Sequence, residues 1–379
     1  MILGIEAANV RSGGGITYLK ELLAAHDPAV HGFSRIVVWS GKYVLDQLPD
    51  APWLDKRSHP FLDRNVVFRL LWQRFLAASA IQRAGIDVLF VPGGLHDLRF
   101  RPLVTMSHNM LPFEPKESRR YGLRYDRLRL WLLGRKQKKV FAGADGVIFL
   151  TRYARDVITR QLPRPPKSHA VVPHGITEAF RQPGKPAEPI TAYSDERPFQ
   201  ILYVSIIDLY KHQRKLVHAV LRLRRDGMPV RLRLVGPDYA PERADLDRLL
   251  RAVDARGAAV DVVGPVPHRA LPDVYRQADL FAFPSSCENL PNILLEAMAS
   301  TLPIACSDRG PMPEVLEDGG VYLDPEDIES MRRALKDLIE RPAERDRLAA
   351  RAAEISRKYS WRACADSTFG YLASFARRS

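Results

Sequence analysis

The hydrophobic residues of this chain fall in short continuous runs that are separated by amphipathic stretches of helical length. In the first half of the chain the runs occupy 2–8, 35–40, 86–91, 103–107, 146–150 and 169–173. In the second half they occupy 200–205, 230–236, 259–264, 279–283, 302–306 and 320–323. Continuous apolar runs are typical of strands that are buried on both faces, as in a parallel sheet covered by helices. The alternation of strands and helices therefore predicts a doubly wound α/β fold.

A polar segment separates the two sets of strands. Residues 181–198 contain four prolines and a glycine and show no periodicity, which is typical of a surface linker. We therefore expect a first Rossmann-like domain over 1–180 and a second over 199–359, with the helix of 360–379 either staying on the second domain or packing back on the first. Ligands of open parallel sheets bind beyond the carboxyl ends of the strands. Two such sheets are expected to face a common cleft, and the chemistry is expected there.

Composition narrows the class of protein. A chain of 379 residues is long enough for roughly two to three domains. With 46% hydrophobic and 27% charged residues it has the make-up of an ordinary globular protein, which excludes wholesale disorder. The net charge of +13 favours anionic partners such as phosphorylated ligands, an acidic membrane surface or nucleic acid.

The cysteines, the opening residues and the lengths of the apolar runs indicate the cellular compartment. Cys287, Cys306 and Cys364 are widely spaced and form no C-x-x-C motif, which excludes a disulfide framework and a structural zinc site and indicates a reducing environment. The opening residues lack the charged n-region of a secretory signal. No run reaches the about 18 apolar residues that a membrane span needs. We expect a cytoplasmic protein that is either soluble or bound to a membrane surface.

The first candidate site is the glycine run Gly13-Gly14-Gly15, between the first strand and an amphipathic helix. Glycines permit close approach of the backbone, and the start of a helix offers free N–H groups and a positive dipole end to an anion. The run is not a G-x-G-x-x-G fingerprint, so it does not indicate a dinucleotide. A flexible turn is the alternative.

The second candidate site lies in FAFPSSCENLPNILLEAMAS at 281–300. A strand ends near Phe283, the loop carries Glu288, and a helix is expected to begin about Pro291, because proline suits the first helical turn. Glu296 then lies within an apolar helix, where a carboxylate needs polar partners such as sugar hydroxyls. With the free amide groups of 289–292 available to a phosphate, the pattern favours a site for a phosphorylated sugar. A helix with one solvent-facing glutamate is the alternative.

These residues resemble a known family. Glu288–x7–Glu296 followed by Ala-Met-Ala resembles the E-x7-E signature of the retaining glycosyltransferases of family 4, which have the GT-B fold. Pro284-Ser285-Ser286, Pro173-His174-Gly175-Ile176, the stretch from Gly310 to Glu314, the stretch from Gly319 to Pro325 and the glycine run also resemble motifs of that family. The resemblance covers nearly the whole chain and implies two Rossmann-like domains facing a central cleft.

The resemblance also implies roles for single residues. Glu288 would bind hydroxyls of the donor sugar beside the reaction centre, Lys211 would neutralise the diphosphate, and His108, next to Asn109, would lie near the transferred sugar; these three are the expected catalytic residues. The resemblance also gives the expected donor-binding residues. Gly14 and Gly15 would approach the donor phosphate, and the backbone of Asn289, Leu290, Pro291 and Asn292 would hold the distal phosphate. Glu296 would bind the ribose, and Gly264 and Val266 would line the base pocket.

One position departs from the family pattern. The family often has Gly-Arg shortly before the lysine, whereas the matching positions here are Ser205-Ile206. A second cation for the diphosphate is therefore missing from its usual place. Arg214 is a candidate for this second cation, on the sole ground that it lies close to Lys211 in the sequence.

The third candidate is a basic segment of the first half of the chain. Between positions 116 and 139 there are ten cationic residues against two acids, interleaved with tyrosine, leucine and tryptophan. With RNVVFRLLWQRF at 64–75 it suggests a basic, aromatic surface on the first domain that rests on anionic lipid headgroups. A solvated helix with its apolar side in the core is the alternative, and nucleic acid is disfavoured because no recognition motif accompanies the charge.

Taken with the resemblance, these features predict a retaining glycosyltransferase that moves a hexose-type sugar from a GDP- or UDP-sugar to a lipid-linked glycan, as in surface polysaccharide or lipopolysaccharide biosynthesis, at the inner face of the cytoplasmic membrane. We expect no cofactor and no metal: Asp245-x-Asp247 lies in a charged helix, where a solvated face is the simpler interpretation. A non-hydrolysing nucleotide-sugar epimerase and a non-catalytic relative that binds nucleotide sugar or membrane are the alternatives.

Overall fold

The computed structural model describes residues 1–11, 13–122 and 124–376. Contacts between residues divide the chain into two compact units. Unit 1 comprises Met1–Phe113, Arg124–Gly175 and Tyr359–Ser379, and unit 2 comprises Glu114–Leu123 and Ile176–Lys358. The last three residues of the predicted terminal helix and Leu123 of the basic segment lie outside the described residues.

Each unit contains one parallel sheet. The strands in chain order are β1 (Ile2–Glu6), β2 (Arg35–Trp39), β3 (Leu54–Arg57), β4 (Val88–Val91), β5 (Leu103–Met106), β6 (Gly146–Phe149), β7 (His169–Val171), β8 (Phe199–Val204), β9 (Val230–Val235), β10 (Val260–Gly264), β11 (Leu280–Phe283), β12 (Ile304–Ser307) and β13 (Val321–Leu323). The seven-stranded sheet of unit 1 has the order β3-β2-β1-β4-β5-β6-β7, and the six-stranded sheet of unit 2 has the order β10-β9-β8-β11-β12-β13. This confirms the two predicted Rossmann-like sheets.

Helices connect most successive strands, as is usual for parallel pairing, whereas β4 leads to β5 through residues 92–102, to which no helix is assigned. In chain order they are α1 (Gly14–Ala24), α2 (Lys42–Leu45), α3 (Pro60–Asp63), α4 (Val66–Leu71), α5 (Ala77–Ala84), α6 (Pro115–Arg119), α7 (Tyr125–Gly143), α8 (Arg152–Thr159), α9 (Gln213–Arg225), α10 (Ala240–Val253), α11 (Leu271–Gln277), α12 (Asn292–Ala299), α13 (Met312–Leu316), α14 (Ile328–Glu340), α15 (Pro342–Ser356) and α16 (Trp361–Ala376). A π-helix, Trp72–Leu76, joins α4 to α5.

The central strands carry the core of each unit. In unit 1, Leu3 of β1 lies opposite Ile36 of β2 and Val88 of β4, and all three side chains are excluded from solvent. In unit 2, Phe281 of β11 is paired with Leu202 and Ile304 in the same way. Because both faces of these strands are covered, their residues are apolar without alternation, which is the pattern that predicted them.

The edge strand β3 was not predicted. Its sequence, Leu-Asp-Lys-Arg, has a single apolar residue, and all four positions are half-buried. It pairs with β2 alone, at the end of the sheet. An edge strand with one covered side can be polar, so the search for continuous apolar runs overlooked it.

The terminal helix α16 belongs to unit 1. Its Tyr371 hydroxyl donates to the Ser168 hydroxyl at 3.1 Å. At its start the backbone runs against Gly175: a Cβ atom on that glycine would lie 2.0 Å from the amide nitrogen of Trp361. The glycine of the Pro-His-Gly motif therefore permits a close approach of two backbone segments, and the His174 ring stacks on Trp361 at 5.6 Å.

Two segments group differently from the predicted domains. Residues 181–198, expected as a linker, belong to unit 2, where the Arg345 guanidinium donates to the carbonyl of Glu188 and the amide of Ala187 donates to Asp346 at 3.0 Å. The segment that contains α6, expected in the first domain, also belongs to unit 2. Polar composition alone did not reveal that these segments are packed.

Among the described residues, no helix combines the length and the apolar character that crossing a membrane requires. The three cysteine thiols are unpaired and buried. Burial raises the pKa of Cys287 and of Cys306 well above the ordinary value, so both are protonated packing residues at neutral pH.

Candidate active site

The loop after β8 carries Lys211 and holds it in a buried position. The Asp208 carboxylate accepts a hydrogen bond from the amide of Leu209 at 2.7 Å and so caps the short 3₁₀ helix Leu209–Lys211. The Tyr203 hydroxyl donates to the carbonyl of Lys211 at 3.1 Å, and the lysine is only 4% exposed. Strand and turn together fix the direction of the lysine side chain.

Lys211 is paired with Glu288, which lies in the loop after β11. The ammonium Nζ donates to Oε1 of the carboxylate, whose side chain is 15% exposed. A buried charge is costly unless a partner meets it, so each group accounts for the burial of the other. Strands β8 and β11 are neighbours, and both residues follow carboxyl ends, the edge at which parallel sheets bind ligands.

The turn after Glu288 differs from the expectation. Helix α12 begins at Asn292 with Pro291 as its N-cap, one residue later than predicted. The amide of Asn292 donates to the carbonyl of Leu290 at 3.0 Å. The expectation that 289–292 offer free N–H groups is therefore wrong for Asn292, because this tight turn uses its N–H, and for Pro291, because proline has no N–H.

Glu296 lies one turn into α12 and is held by two neighbours. The Tyr275 hydroxyl donates to its Oε2 at 3.0 Å, and Nε2 of His268 lies 3.2 Å from its Oε1. Burial, reinforced by the carboxylate, raises the pKa of Tyr275, so the phenol stays a donor. Glu296 is thus a pre-oriented acceptor and is not a loose surface acid.

The expected base pocket adjoins Glu296. Gly264 ends β10 with a φ of +80°, a value that disfavours other residues. Val266 is half-buried in the loop that follows, and this loop continues to His268. Because His268 contacts Glu296, the loop that carries Val266 is tied to the middle of α12.

Arg214 does not replace the missing arginine. Its guanidinium forms a bidentate pair with Glu242 of α10, at 2.7 and 3.1 Å, and Glu242 is 2% exposed. This pair joins α9 to α10 and leaves Arg214 engaged in packing. Proximity to Lys211 in the sequence was misleading, because Arg214 lies in the first turn of α9 and reaches across to α10.

Segment 114–122 supplies contacts that no motif revealed. The Ser286 hydroxyl, two residues before Glu288, donates to the Glu117 carboxylate at 2.6 Å and lies 2.9 Å from Nε2 of His212. Burial lowers the pKa of His212 to about 4, so the ring is neutral at pH 7. Because the Ser286 hydroxyl donates its proton to Glu117, its oxygen accepts the second hydrogen bond, and Nε2 of His212 is the donor. These contacts support both Lys211, which precedes His212, and Glu288.

The same segment is fastened at two further points. The Tyr121 hydroxyl donates to the Asp208 carboxylate at 2.9 Å. Lys116 donates to Glu326 at 2.8 Å, and Arg120 pairs with the same carboxylate. The hydrogen bonds from Lys116 and Arg120 lower the pKa of Glu326 to about 2. The expectation that Lys116 and Arg120 belong to a basic surface of the first domain is therefore wrong, because unit 2 neutralises both.

Unit 1 presents His108 just after β5. Its ring meets the Tyr18 ring edge-on at 5.6 Å and lies 5.5 Å from the His174 ring. Loss of hydration lowers the pKa of His108 to about 4, so the imidazole is neutral at pH 7. It can exchange hydrogen bonds with a hydroxyl group but does not carry a positive charge. The neighbouring Asn109 side chain accepts from the amide of Leu111 at 3.0 Å.

The glycine run opens α1 as predicted. Gly13 has a φ of +60° and precedes Gly14 and Gly15, the first two helical residues. The first amides of a helix have no carbonyl partner within it. The arrangement therefore suits an anion, and the absence of side chains leaves the backbone open to it.

Glu6, at the end of β1, was not singled out in the sequence. It is 1% exposed; its Oε1 accepts from the amide of Ala8 at 3.1 Å and its Oε2 from the Gln73 side chain at 3.1 Å. Burial raises the pKa of Glu6 to about 7. Gln73 lies in the π-helix, a distortion that is frequent at functional sites. A lone acid ending an apolar strand just before the glycine run is the signal that could have found it.

Unit 1 also exposes apolar side chains on α4, the π-helix and α7. This apolar surface comprises Val66, Val67, Leu70, Leu71, Phe75, Tyr125, Leu128, Trp131 and Leu132. Lys136 of α7 contacts Asp97 at 3.1 Å, and Asp97 and Phe75 line one groove of about 470 Å³, so the two parts are neighbours. The alternative of a helix with its apolar side in the core accounts for Leu130 and Phe141 but not for this surface.

Comparison with known families covers both halves of the chain. Residues 12–180 match the model described as Glycosyltransferase Family 4. Residues 188–355 match the model described as Glycosyl transferases group 1. The two matches together include every candidate residue named above except Glu6.

Two curated relatives and one solved structure illustrate the likeness. The α-D-kanosaminyltransferase of Streptomyces kanamyceticus is 29% identical over 234 residues, which is 60% of each chain. The O-antigen chain mannosyltransferase B of Escherichia coli is 28% identical over 169 residues, 44% of each chain. The sucrose-phosphate synthase of Thermosynechococcus elongatus superimposes with a TM-score of 0.78 at 19% identity over the full length of both chains, a likeness of fold. The match thus spans less than two thirds of each curated relative.

Proposed function

Since this chain belongs to the family 4 and group 1 glycosyltransferases and has the GT-B fold, we propose that it transfers a hexose-type sugar from a GDP- or UDP-sugar to an acceptor bound by unit 1, with retention of anomeric configuration. The observation that carries this proposal is the buried pair of Lys211 and Glu288 at the carboxyl edge of the second sheet.

The second unit supplies the groups that a nucleotide diphosphate sugar needs. Glu296, fixed by Tyr275 and His268, accepts hydrogen bonds from the ribose hydroxyls, and the loop with Gly264 and Val266 borders the base. The distal phosphate meets the turn of 289–292, with the amide of Asn292 turned inward. These contacts follow from the chemistry of each group: a carboxylate accepts from a diol, and backbone N–H groups hold phosphate.

In the proposed reaction the bond between the anomeric carbon and the diphosphate oxygen breaks, and a bond from that carbon to the acceptor oxygen forms on the same face. The acceptor proton passes to the departing diphosphate. Lys211 stabilises the negative charge that develops on the leaving group, and a preorganised cation in a water-poor site is effective there. Glu288 orients the sugar hydroxyls and leaves Lys211 free to turn toward the diphosphate. No metal ion takes part in this scheme.

The apolar surface of unit 1 supports a lipid-linked acceptor. Exposed tryptophan and phenylalanine beside arginine and lysine suit the interface of an anionic membrane. We propose that the protein works peripherally at the inner face of the cytoplasmic membrane, in surface polysaccharide or lipopolysaccharide biosynthesis; the name of the O-antigen relative is in keeping with this.

The function is tested first by binding and then by turnover. A ligand that binds the native state raises its unfolding temperature, so UDP, GDP, ADP and their sugars are screened by thermal shift. The donor that stabilises the protein is then incubated with extracted membrane lipids, with and without EDTA, and the product is followed by mass spectrometry and NMR.

We expect a glycolipid with the anomeric configuration of the donor, formed at the same rate in EDTA. Isomerised donor in the absence of acceptor would instead identify an epimerase. If the donor binds but is neither transferred nor slowly hydrolysed, the protein is a non-catalytic binding protein. A product with the inverted anomeric configuration would refute retention.

A further inference from the structure

A cluster of two histidines and an aspartate lies in unit 1 and uses none of the candidate site residues described above. His26 follows α1, His31 ends the short 3₁₀ helix Pro28–His31, and Asp366 lies in α16. Nε2 of His31 lies 3.0 Å and Nε2 of His26 lies 3.6 Å from the same carboxylate oxygen, Oδ1 of Asp366. His31 and Asp366 are 335 positions apart, so no spacing in the sequence could show this cluster. The expectation of no structural zinc site came from the cysteines, and none of the three residues here is a cysteine.

The geometry of the cluster suits a metal ion. The three ligand atoms all lie within 4.8 Å of one another. Bonds of about 2.0–2.2 Å from a transition metal to nitrogen and oxygen place adjacent ligand atoms roughly 3.0–3.5 Å apart. The two measured separations are within about 0.1 Å of that range before any ion has drawn the groups together.

A second observation is that one ligand atom has no hydrogen-bond partner. Among the described residues none hydrogen-bonds Nε2 of His26, although the atom is shielded from solvent and the side chain is 14% exposed. A buried polar atom without a partner is costly, and native structures satisfy almost all of them. The atom faces the Asp366 carboxylate at a distance too long for a hydrogen bond and suitable for an ion between them.

The other two groups are held in place for such a role. The His31 ring packs against α16, where the Phe369 ring centroid lies 6.5 Å away, and a Cβ atom on Gly370 would lie 3.4 Å from Cε1 of the imidazole. Asp366 is 57% exposed, so the side of the cluster next to it is open to water. Two imidazoles, one carboxylate and an open position form the ligand set of a mononuclear Zn²⁺ site with a bound water.

We propose that His26, His31 and Asp366 bind one divalent transition-metal ion, of which Zn²⁺ is the physiological candidate, and that this ion ties α16 to the end of α1. The ligands come from both ends of unit 1, so the ion closes a loop of most of the chain. Binding to the folded state alone makes the ion a stabiliser of the helix that returns to unit 1. None of its ligands is a residue of the proposed reaction site, so this proposal is independent of the proposed function.

The test uses the full chain after removal of metal by chelation. Zn²⁺ binding is measured by titration calorimetry, and Co²⁺ is added as a spectroscopic probe whose visible absorption reports ligand number. The variants are Asp366→Asn, which keeps the shape of the side chain, and His26→Asn. His169→Asn, an exposed histidine of the same unit, is the matched control.

We expect one Zn²⁺ per chain in the wild type and in the His169→Asn control, an intense four-coordinate Co²⁺ spectrum, and a rise of several degrees in the unfolding temperature. Each cluster variant should lose the spectrum and the stabilisation. If either variant proves unstable, the other and the wild-type Co²⁺ spectrum decide. No Zn²⁺ binding by the wild type, or equal binding by Asp366→Asn, would overturn the proposal and leave a simple hydrogen bond between His31 and Asp366.

Discussion

The ammonium group of Lys211 donates a hydrogen bond to the carboxylate of Glu288, although the two residues are 77 positions apart and lie on loops after different strands. Both side chains are largely buried, so the pair holds a cation and an anion at the ligand-binding edge of the sheet without exposing either to water. In the proposed reaction the two charges part: the cation serves the diphosphate and the anion serves the sugar.

Substitution of Lys211 by alanine should cost about 10²- to 10³-fold in kcat, because the leaving diphosphate loses its preorganised cation. The change also leaves Glu288 buried without a partner, which costs about 3–5 kcal/mol of stability. The double variant Lys211→Ala/Glu288→Gln removes the unpaired charge, so its unfolding temperature should recover while its activity does not.

The control for this experiment is Lys336→Ala. Lys336 also pairs with a glutamate, Glu340, but on the exposed face of α14. Its removal should change kcat by less than about twofold, since exposed pairs contribute little. A Lys211→Ala enzyme with wild-type turnover would show that the leaving group is stabilised elsewhere.

A second prediction concerns ribose binding. Glu296→Gln should raise the KM for the donor about 10- to 100-fold with a smaller change in kcat, because a hydrogen bond to a charged group contributes about 1.5–3 kcal/mol and is made before and during the reaction. Tyr275→Phe removes the hydroxyl that donates to Glu296 and to the carbonyl of Ile293 but leaves the carboxylate in place, so its effect on KM should be about fivefold. An unchanged KM in Glu296→Gln would place the ribose elsewhere.

The strands were predictable because burial on both faces leaves a local mark, a continuous apolar run. That mark is absent from β3, whose residues Leu-Asp-Lys-Arg lie at the edge of the sheet. Family resemblance singled out Lys211, Glu288 and Glu296 as site residues but could not show which of them are paired with each other. Pairings depend on contacts over long separations, which residue spacing does not encode.

The same limit explains what was wrong or missed. Arg214 stands three residues after Lys211 in the sequence, yet its helix directs it to Glu242. Glu117 and Ser286 are 169 positions apart and meet only in the folded unit. Conversely, the aspartates of Asp245-x-Asp247 pair with arginines on their own helix, Arg248 and Arg243, as a solvated face predicts.

A third prediction tests the apolar surface of unit 1. At low salt the protein should sediment with vesicles that contain anionic lipid and not with neutral vesicles. The double variant Phe75→Ser/Trp131→Ser should reduce the bound fraction at least about fivefold, because each large apolar side chain contributes about 1.5–3 kcal/mol when buried. Tyr43→Ser is the control, because Tyr43 is 70% exposed on a different helix of the same unit. Equal sedimentation with neutral and anionic vesicles would remove the electrostatic part of the argument.

The last prediction follows from the buried carboxyl group of Glu6. Its pKa is raised from 4.5 to about 7 by burial, so between these pH values the folded protein keeps a proton that the unfolded chain has lost. The folded state then binds more protons, and stability must fall as the pH rises from about 4.5 to 7 and level off above it.

In Glu6→Gln the side chain cannot ionise, and Gln73 can turn its amide to accept from it. The unfolding temperature of this variant, measured from pH 5 to 8, should therefore lack that part of the decline. Glu178→Gln, at a side chain that is 83% exposed, controls for the loss of one carboxyl group and should follow the wild type. If the unfolding temperature falls equally with pH in the wild type and in Glu6→Gln, Glu6 is ionised in the folded protein. Its hydrogen bond from Gln73 is then accepted by a charged carboxylate.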